Sequence, residues 1–325
     1  MTTLAPPAVR PAYRPYRATV RHVQRLSPHF ARITFASDEF THFGTAGLDQ
    51  RVKLLFPGAD GRLCDVGQDD EAARLAGSWY DAWRALPEGE RSPFRTYTVR
   101  RADPVARLVT VDFVVHHDPG PAGAWAEAAR AGQEIVLVGP DERSPHSRAG
   151  IDWQPGSASR LLLVGDETAV PAIGSILDSL PAGRTADVFV EVQSMADTAV
   201  LAPPAHAGVR WIVRDRDGGR PPRAHGEGLI EAVAAWAQEH RDVLGLAAAP
   251  RPQQLADVDV DRELLWDSPG TRDGGAVDGE FYAWMAGEAA TIKQLRRLLV
   301  SGHGVDRRRV AFMGYWRRGI AERIG

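Results

Sequence analysis

The apolar positions follow two different rules in the two halves of the chain. Up to about residue 140 they come in short alternating runs, at 17–23, 30–35, 52–56, 94–101, 108–115 and 134–138, with breaks such as Ser27-Pro28 and Pro57-Gly58 between them. Alternation at period two sends every second side chain to one face, so each run reads as a half-buried antiparallel strand. Six such strands suffice to close a small antiparallel barrel. Between the third and fourth, residues 71–91 carry Trp79, Tyr80 and Trp83 at helical spacing among charges, which predicts a helix or lid packed on the barrel rim. A further helix is predicted from Gly120-Pro121 to about Ala131, with Gly132 ending it. The arm before residue 15, with prolines at 6, 7, 11 and 15, reads as irregular.

From residue 160 the pattern changes. Arg160-Leu161-Leu162-Leu163-Val164-Gly165 is a continuous apolar run of the kind a parallel strand covered on both faces needs. Runs at 186–192, 209–213, 281–286 and 309–313 repeat that type, and helical stretches lie at 169–180, 228–240 and 288–301. Strand and helix alternate, which predicts an open parallel-sheet α/β nucleotide-binding domain behind the antiparallel six-stranded barrel. Ligand then sits at the carboxyl ends of the strands, beside Gly165-Asp166-Glu167-Thr168 and Gly287-Glu288. No Gly-x-Gly-x-x-Gly fingerprint is present. The Pro, Ser and Gly residues of 140–157 read as a linker, dividing the chain into domains 1–150 and 151–325. Residues 241–279, rich in Pro, Asp and Gly, read as a long surface excursion with one helical turn near 261–266.

Composition narrows the classes of function. A chain of 325 residues, 44% hydrophobic and 25% charged, is a globular protein of two ordinary domains. It has no apolar run of about 18 residues, and its N-terminus lacks the apolar core of a signal peptide, so the expectation is a cytoplasmic protein without membrane contact. A net charge of −3 argues against nucleic acid as a partner. The single Cys64 excludes an internal disulfide and any cysteine-held iron–sulfur cluster or zinc knuckle, so electron transfer here would need a bound organic cofactor. A monomer is the default expectation.

Two stretches carry candidate chemistry. Arg95-Thr96-Tyr97-Thr98 sets an aromatic ring beside a fixed cation and a hydroxyl, which suits a flat isoalloxazine ring and its diphosphate. The strand ending at His116 runs through Gly120-Pro121-Ala122 into a helix start, whose free N–H groups and dipole favour an anion. His116 either hydrogen-bonds an adenosine group or is an ordinary satisfied strand-end histidine.

The ordered set is more specific than any one of its parts. Arg95-Thr96-Tyr97-Thr98-Val99-Arg100, Asp112-Phe113-Val114-x-His116, Gly120-Pro121-Ala122, Gly165-Asp166-Glu167-Thr168-Ala169-x-Pro171-Ala172, Ala286-Gly287-Glu288 and Gly314-Tyr315-Trp316-Arg317-Arg318-Gly319 together resemble the siderophore-interacting protein family. These are FAD-dependent ferric-siderophore reductases, relatives of the vibriobactin-utilisation protein among the ferredoxin-reductase-like flavoproteins. The likeness runs from about residue 16 to 324 and is thinnest over 241–279.

The resemblance implies that the barrel binds FAD and the α/β half binds NADH or NADPH. It implies that Arg95, Thr96, Tyr97 and Thr98 hold the isoalloxazine and diphosphate, that Asp112, Val114 and His116 border the adenosine side, and that Ala122 caps the phosphates. Asp166, Glu167 and Thr168 would lie at the flavin–nicotinamide junction, and Lys53, Arg143 and Arg317 would line the mouth for an anionic ferric siderophore. The implied activity is reduction of Fe(III) to Fe(II), which releases iron from imported siderophores without a metal site of the protein's own. A general FAD-containing NAD(P)H dehydrogenase or electron-transfer flavoprotein, and a non-catalytic siderophore-binding protein, are the alternatives. The donor stays open among NADH, NADPH and reduced ferredoxin, with Arg214 and Arg216 as candidates for a 2′-phosphate.

Overall fold

The computed structural model describes residues 10–115, 120–216, 221–255, 258–260, 263–269 and 278–319. They form two compact units: one reaches to Ile151, and the other begins at Asp152 and takes in the turn Leu26–His29. In the first unit the chain runs through β1 (Tyr13–Ser27), β2 (Phe30–Ala36), β3 (Arg51–Leu55), α1 (Glu71–Ala76), α2 (Trp79–Ala85), β4 (Phe94–Thr98), β5 (Arg101–Asp103), β6 (Leu108–Val114), α3 (Pro121–Glu127) and β7 (Glu134–Pro140). The strands form one sheet in the order β4-β3-β7-β1-β2-β6-β5, with antiparallel ladders.

The expected fourth run is two strands, which makes seven where the alternation predicted six. The Val99 N–H donates to the Gln50 carbonyl and the Arg100 N–H to the Thr110 carbonyl, each at 2.9 Å. Within two residues the chain thus leaves the β3 side and joins the β6 side. Because β4 and β5 are the two ends of the sheet order, this step closes the barrel covalently. Tyr16, Ile33, Phe35, Val52, Leu54, Val111, Phe113 and Leu137 fill its core.

Residues 71–91 hold two short helices instead of one, because Gly77 takes φ +68° between them. They cover the outer face of the sheet, where Trp83 of α2 packs with Leu55, Phe94, Val136 and Val138. Each such buried large side chain contributes about 1.5–3 kcal/mol, enough to hold a segment this short. α3 stops at Glu127, before the expected end near 131, and Gly132 takes φ +87° in the turn that follows.

The second unit contains β8 (Arg160–Gly165), α4 (Val170–Asp178), β9 (Thr185–Val192), β10 (Ala207–Val213), α5 (Glu227–Glu239), α6 (Arg241–Leu246), β11 (Trp266–Asp267), β12 (Phe281–Glu288), α7 (Ala289–Arg296), which continues as a π-helical turn Arg297–Gly302, and β13 (Val310–Trp316). The sheet order is β10-β9-β8-β12-β13-β11, parallel except for β11. From β8 the chain moves outward to β9 and later returns on the other side as β12, so the strand order reverses between β8 and β12. That is where an open α/β sheet leaves a crevice at its carboxyl edge.

The 241–279 stretch is not wholly a surface excursion. It opens with α6, whose Val243 and Leu244 are buried, and Leu265 reaches the same core. Apolar residues at 243, 244 and 247 lie one helical turn apart inside an otherwise polar composition. Trp266, expected in a helical turn, stands in β11, while residues 261 and 262 lie outside the described residues.

Candidate functional site

The β3–β4 ladder pairs Val52 with Tyr97, Lys53 with Thr96 and Leu54 with Arg95. Alternation therefore puts Arg95 and Tyr97 on the face of Val52 and Leu54, and Lys53 and Thr96 on the other. The half-buried ring of Tyr97 lies 4.5 Å from that of Phe113 and 6.4 Å from that of Phe56, and Trp125 of α3 stands 5.2 Å from Phe56. Arg95 is half-buried on the same face and donates one hydrogen bond, 2.7 Å, to its neighbour's carbonyl at Phe94. A guanidinium has five N–H donors, so most of its capacity is directed elsewhere. α3 starts at Gly120-Pro121 with no side-chain cap, and a Cβ on Gly120 would meet nothing within 4 Å. A half-covered aromatic platform, a half-buried guanidinium and an open, uncapped helix start fit a flat ring that trails a diphosphate.

The other expected residues of this unit are placed differently from one another. Thr98 is 5% exposed at the end of β4. Asp112 is 5% exposed and accepts both arms of Arg32, at 2.7 and 2.8 Å, from the paired position on β2. Its carboxylate thus ties two strands together. Val114 ends β6 opposite Phe30, Ala122 points into the barrel core, and His116 lies outside the described residues.

The cations expected at a substrate mouth also differ. The Lys53 ammonium donates to the Thr96 hydroxyl at 3.1 Å and lies 4.9 Å over the Phe94 ring, on the sheet face opposite Tyr97. Arg143 grips Asp141 with both arms, at 2.7 and 2.8 Å. Burial works to raise the Asp141 carboxyl, and the Arg143 and Arg14 cations overcome it, holding it below the usual carboxylate range. Arg143 is therefore committed to an internal pair. Arg317, in the second unit, is half-exposed and donates to the Val260 carbonyl at 3.1 Å.

At the carboxyl edge of the second sheet, Asp166 and Glu167 turn inward. Asp166 is 1% exposed and accepts from the Thr168 N–H and hydroxyl, the Glu288 N–H and the Trp316 indole. Gly287, at φ +152°, leaves room for it: a Cβ there would stand 2.6 Å from an Asp166 oxygen. Glu167 holds Arg214 through two bonds of 2.6 and 2.7 Å, and Arg214 also reaches Glu191 and Gln193. Burial, with Glu167 beside it, pushes the Asp166 carboxyl up. For Glu167, burial acts in the same direction but the Arg214 fork wins and holds it down. Thr168, half-exposed, is the member of the trio that faces solvent.

Arg214 is accordingly not a free cation for a 2′-phosphate. Its burial is forced by Glu191, a carboxylate 0% exposed within an apolar strand, which needs a cation. That signal was present in the β9 sequence. Arg216, two residues on, is exposed. His225 and Trp316 complete the cluster, and no local pattern marked His225. Among the described residues no group of three or more His, Cys, Asp or Glu side chains is placed to hold a metal ion, and no helix is long and apolar enough to cross a membrane.

Comparison with known proteins gives the lineage. The family model for the siderophore-interacting FAD-binding domain matches residues 19–144, and that for siderophore-interacting proteins matches residues 158–319. An uncharacterized protein of Mycobacterium tuberculosis is 31% identical over 313 residues, 93% of this chain and 89% of that one. The ferric vibriobactin reductase ViuB of Vibrio cholerae is 26% identical over 299 residues, 91% of this chain and 87% of its own length. The crystal structure of a siderophore utilization protein from T. fusca aligns with a TM-score of 0.67 at 27% identity, covering 96% of this chain and 95% of that one. With both of its units matched in order, the chain belongs to the siderophore-interacting family of FAD-binding proteins.

Proposed function

We infer that the protein is an FAD-dependent NAD(P)H:ferric-siderophore oxidoreductase, its first unit binding FAD and its second the nicotinamide donor. The observation that carries this reading is the shared face of Arg95 and Tyr97, whose ring lies 4.5 Å from that of Phe113, in a chain whose family members include a ferric vibriobactin reductase. Bound FAD supplies the conversion of a two-electron hydride into single electrons. Arg95 neutralises diphosphate charge with planar, charge-assisted hydrogen bonds, and Tyr97 offers its ring to the isoalloxazine. In the second unit Thr168, its hydroxyl proton given to Asp166, offers an acceptor oxygen at the crevice, and Arg216 an exposed cation for a donor phosphate.

The substrate's chemistry sets what the protein must do. Siderophores hold Fe(III) in hard oxygen donors and bind Fe(II) far less tightly, so one electron releases the metal. The chain therefore needs to seat an anionic complex, not to ligate iron. We place Lys53 at that seat as a cation of the first unit; its ammonium donates to the Thr96 hydroxyl and lies over the Phe94 ring.

The test is an anaerobic spectral titration of the FAD-loaded protein with NADH or NADPH, followed by a ferric catecholate and a ferrous chelator. Bleaching of the flavin, then reoxidation with Fe(II) trapped, is the expected result. Bleaching without reoxidation by any ferric complex points to a general NAD(P)H dehydrogenase. A protein that cannot be loaded with FAD overturns the assignment.

A further inference from the structure

Among the described residues, the second unit carries an open cleft of about 820 Å³, lined by residues 249–253 and 306–308 with Trp266 and Asp267. Residues 306–308 lead into β13, and Trp266 and Asp267 pair with Met313 and Phe312 of that strand. The cleft therefore opens toward the amino end of β13, whereas a donor nucleotide belongs at the carboxyl edge of the sheet. Its walls are bolted together. The Ala249 N–H donates to the Gly304 carbonyl and the Asp306 N–H to the Ala247 carbonyl, each at 2.9 Å. The Gln253 amide donates to the Val305 carbonyl at 2.8 Å and accepts the Arg307 N–H at 2.9 Å. Arg251 stands between Pro250 and Pro252, whose rings fix their own φ and hold the residues before them extended, so the loop that presents this arginine is stiff.

The charges in the cleft do not balance. Three arginines, Arg251, Arg307 and Arg308, line it with two aspartates. Asp306 is taken by Arg308, at 2.8 and 3.2 Å, and Asp267 by Arg296 from α7, at 3.0 and 3.1 Å. The exposed side chain of Arg251 and the half-buried side chain of Arg307 have no hydrogen-bond or ion-pair partner among the described residues. Two guanidiniums thus remain beyond those the carboxylates use, and each can grip a phosphate through two parallel N–H bonds. Beside them the half-buried Trp266 is held flat, its ring stacked on Tyr315 at 5.8 Å and its indole N–H given to Asp152 at 3.2 Å.

We propose that this cleft is a second ligand site, apart from those of flavin and donor, which takes an aromatic molecule carrying phosphate. Arg251 and Arg307 hold the phosphate, and Trp266 is the wall against which the ring lies. The volume lies in the range of about 300–1,000 Å³ usual for small-molecule sites, so a bare inorganic anion leaves most of the cleft unused. Because the loop and the turn are fixed before anything binds, little ordering cost falls on the ligand.

The experiment is a calorimetric titration of ATP, adenosine and pyrophosphate into the full-length protein, with amide hydrogen exchange to show where ATP sits. ATP is expected to bind more tightly than either fragment and to slow exchange over residues 247–253 and 304–308. R251Q and R307Q are each expected to weaken ATP by about tenfold or more, with the difference shrinking at high salt. Both variants should melt with the wild-type protein, since neither side chain bonds to a described residue. Exchange slowed only at 165–168 and 287–288 puts the nucleotide in the donor crevice and overturns the proposal. So does ATP affinity that is unchanged in the double variant R251Q/R307Q, or the absence of ATP binding altogether. Pyrophosphate bound as tightly as ATP removes the ring from the site and overturns it as well.

Discussion

Replacing Arg214 with methionine keeps much of the side chain's length and removes its charge. In the folded protein the guanidinium is 6% exposed and makes four side-chain hydrogen bonds, two to Glu167 and one each to Glu191 and Gln193. Without it, among the described residues, two carboxylates lie buried with no fixed cation, and the least costly response is to protonate Glu167. Taking up a proton near pH 7 on a carboxyl whose unfolded pKa is about 4.3 costs about 3.7 kcal/mol. This falls within the range of about 3–5 kcal/mol for breaking a buried ion pair by removing one partner.

For a unit of this size each kcal/mol shifts Tm by about 2–4 °C, so melting of the second unit should fall by about 7–15 °C near pH 7. In the wild-type protein Arg214 holds Glu167 below the usual carboxylate range. The pair's contribution is therefore complete above the unfolded pKa and is lost as pH falls through the folded value. The variant, its Glu167 protonated, recovers about 1.4 kcal/mol relative to wild type for each pH unit lowered from 7 toward 4.3. Scanning calorimetry near pH 7, 6 and 5 should show the deficit shrinking by equal steps. A deficit that ignores pH, or one under about 1 kcal/mol as for an exposed pair, would refute the argument.

The remaining predictions concern the first unit. R95A should weaken FAD binding by about 10- to 150-fold, the worth of about 1.5–3 kcal/mol for hydrogen bonds to a charged group. Fluorescence titration of the apoprotein measures it, and an unchanged affinity would remove Arg95 from the phosphates. K53A should raise the apparent KM for a ferric catecholate by about fivefold at low ionic strength and much less at high salt, as a partly exposed charge does. An unaltered KM puts the cationic seat elsewhere. R143A should act on stability, costing about 1–3 kcal/mol at neutral pH by stripping hydrogen bonds from Asp141, which is 1% exposed. Because Arg143 helps hold Asp141 low, that loss should vanish as pH drops below the ordinary carboxylate range, and an altered KM with unaltered melting would contradict it.

Periodicity made the barrel strands and the parallel sheet legible, because both are written in local spacing. The division of the 94–101 run was not, since Val99-Arg100 carries no Gly or Pro and the break appears only when the two residues bond to different strands. α6 was hidden by averaging over a polar stretch, although Val243, Leu244 and Ala247 have helical spacing. The shared face of Arg95 and Tyr97 could be read because they sit two apart on one strand. Asp112 could not be told from a ligand-facing carboxylate, since its partner Arg32 is 80 residues away in sequence. The same holds for Arg214 with Glu167, 47 residues apart. Long-range ion pairs leave no periodic trace, yet a charged residue inside an apolar strand, such as Glu191, announces that one exists.

The chain step that closes the barrel begins at the strand that carries Arg95 and Tyr97. That strand reaches β3 only after a loop holding α1 and α2 has been drawn shut, a closure whose entropy must be met before the ladder stabilises anything. The face that carries Arg95 and Tyr97 therefore has no existence apart from the finished barrel, and any molecule that binds it works as a latch on the seam. Cofactor present above its Kd stabilises the closed form by RT ln(1 + [L]/Kd). The flavin content of a preparation thus also measures how completely its first unit is shut, and amide exchange at residues 96–100 should slow in proportion as FAD is loaded.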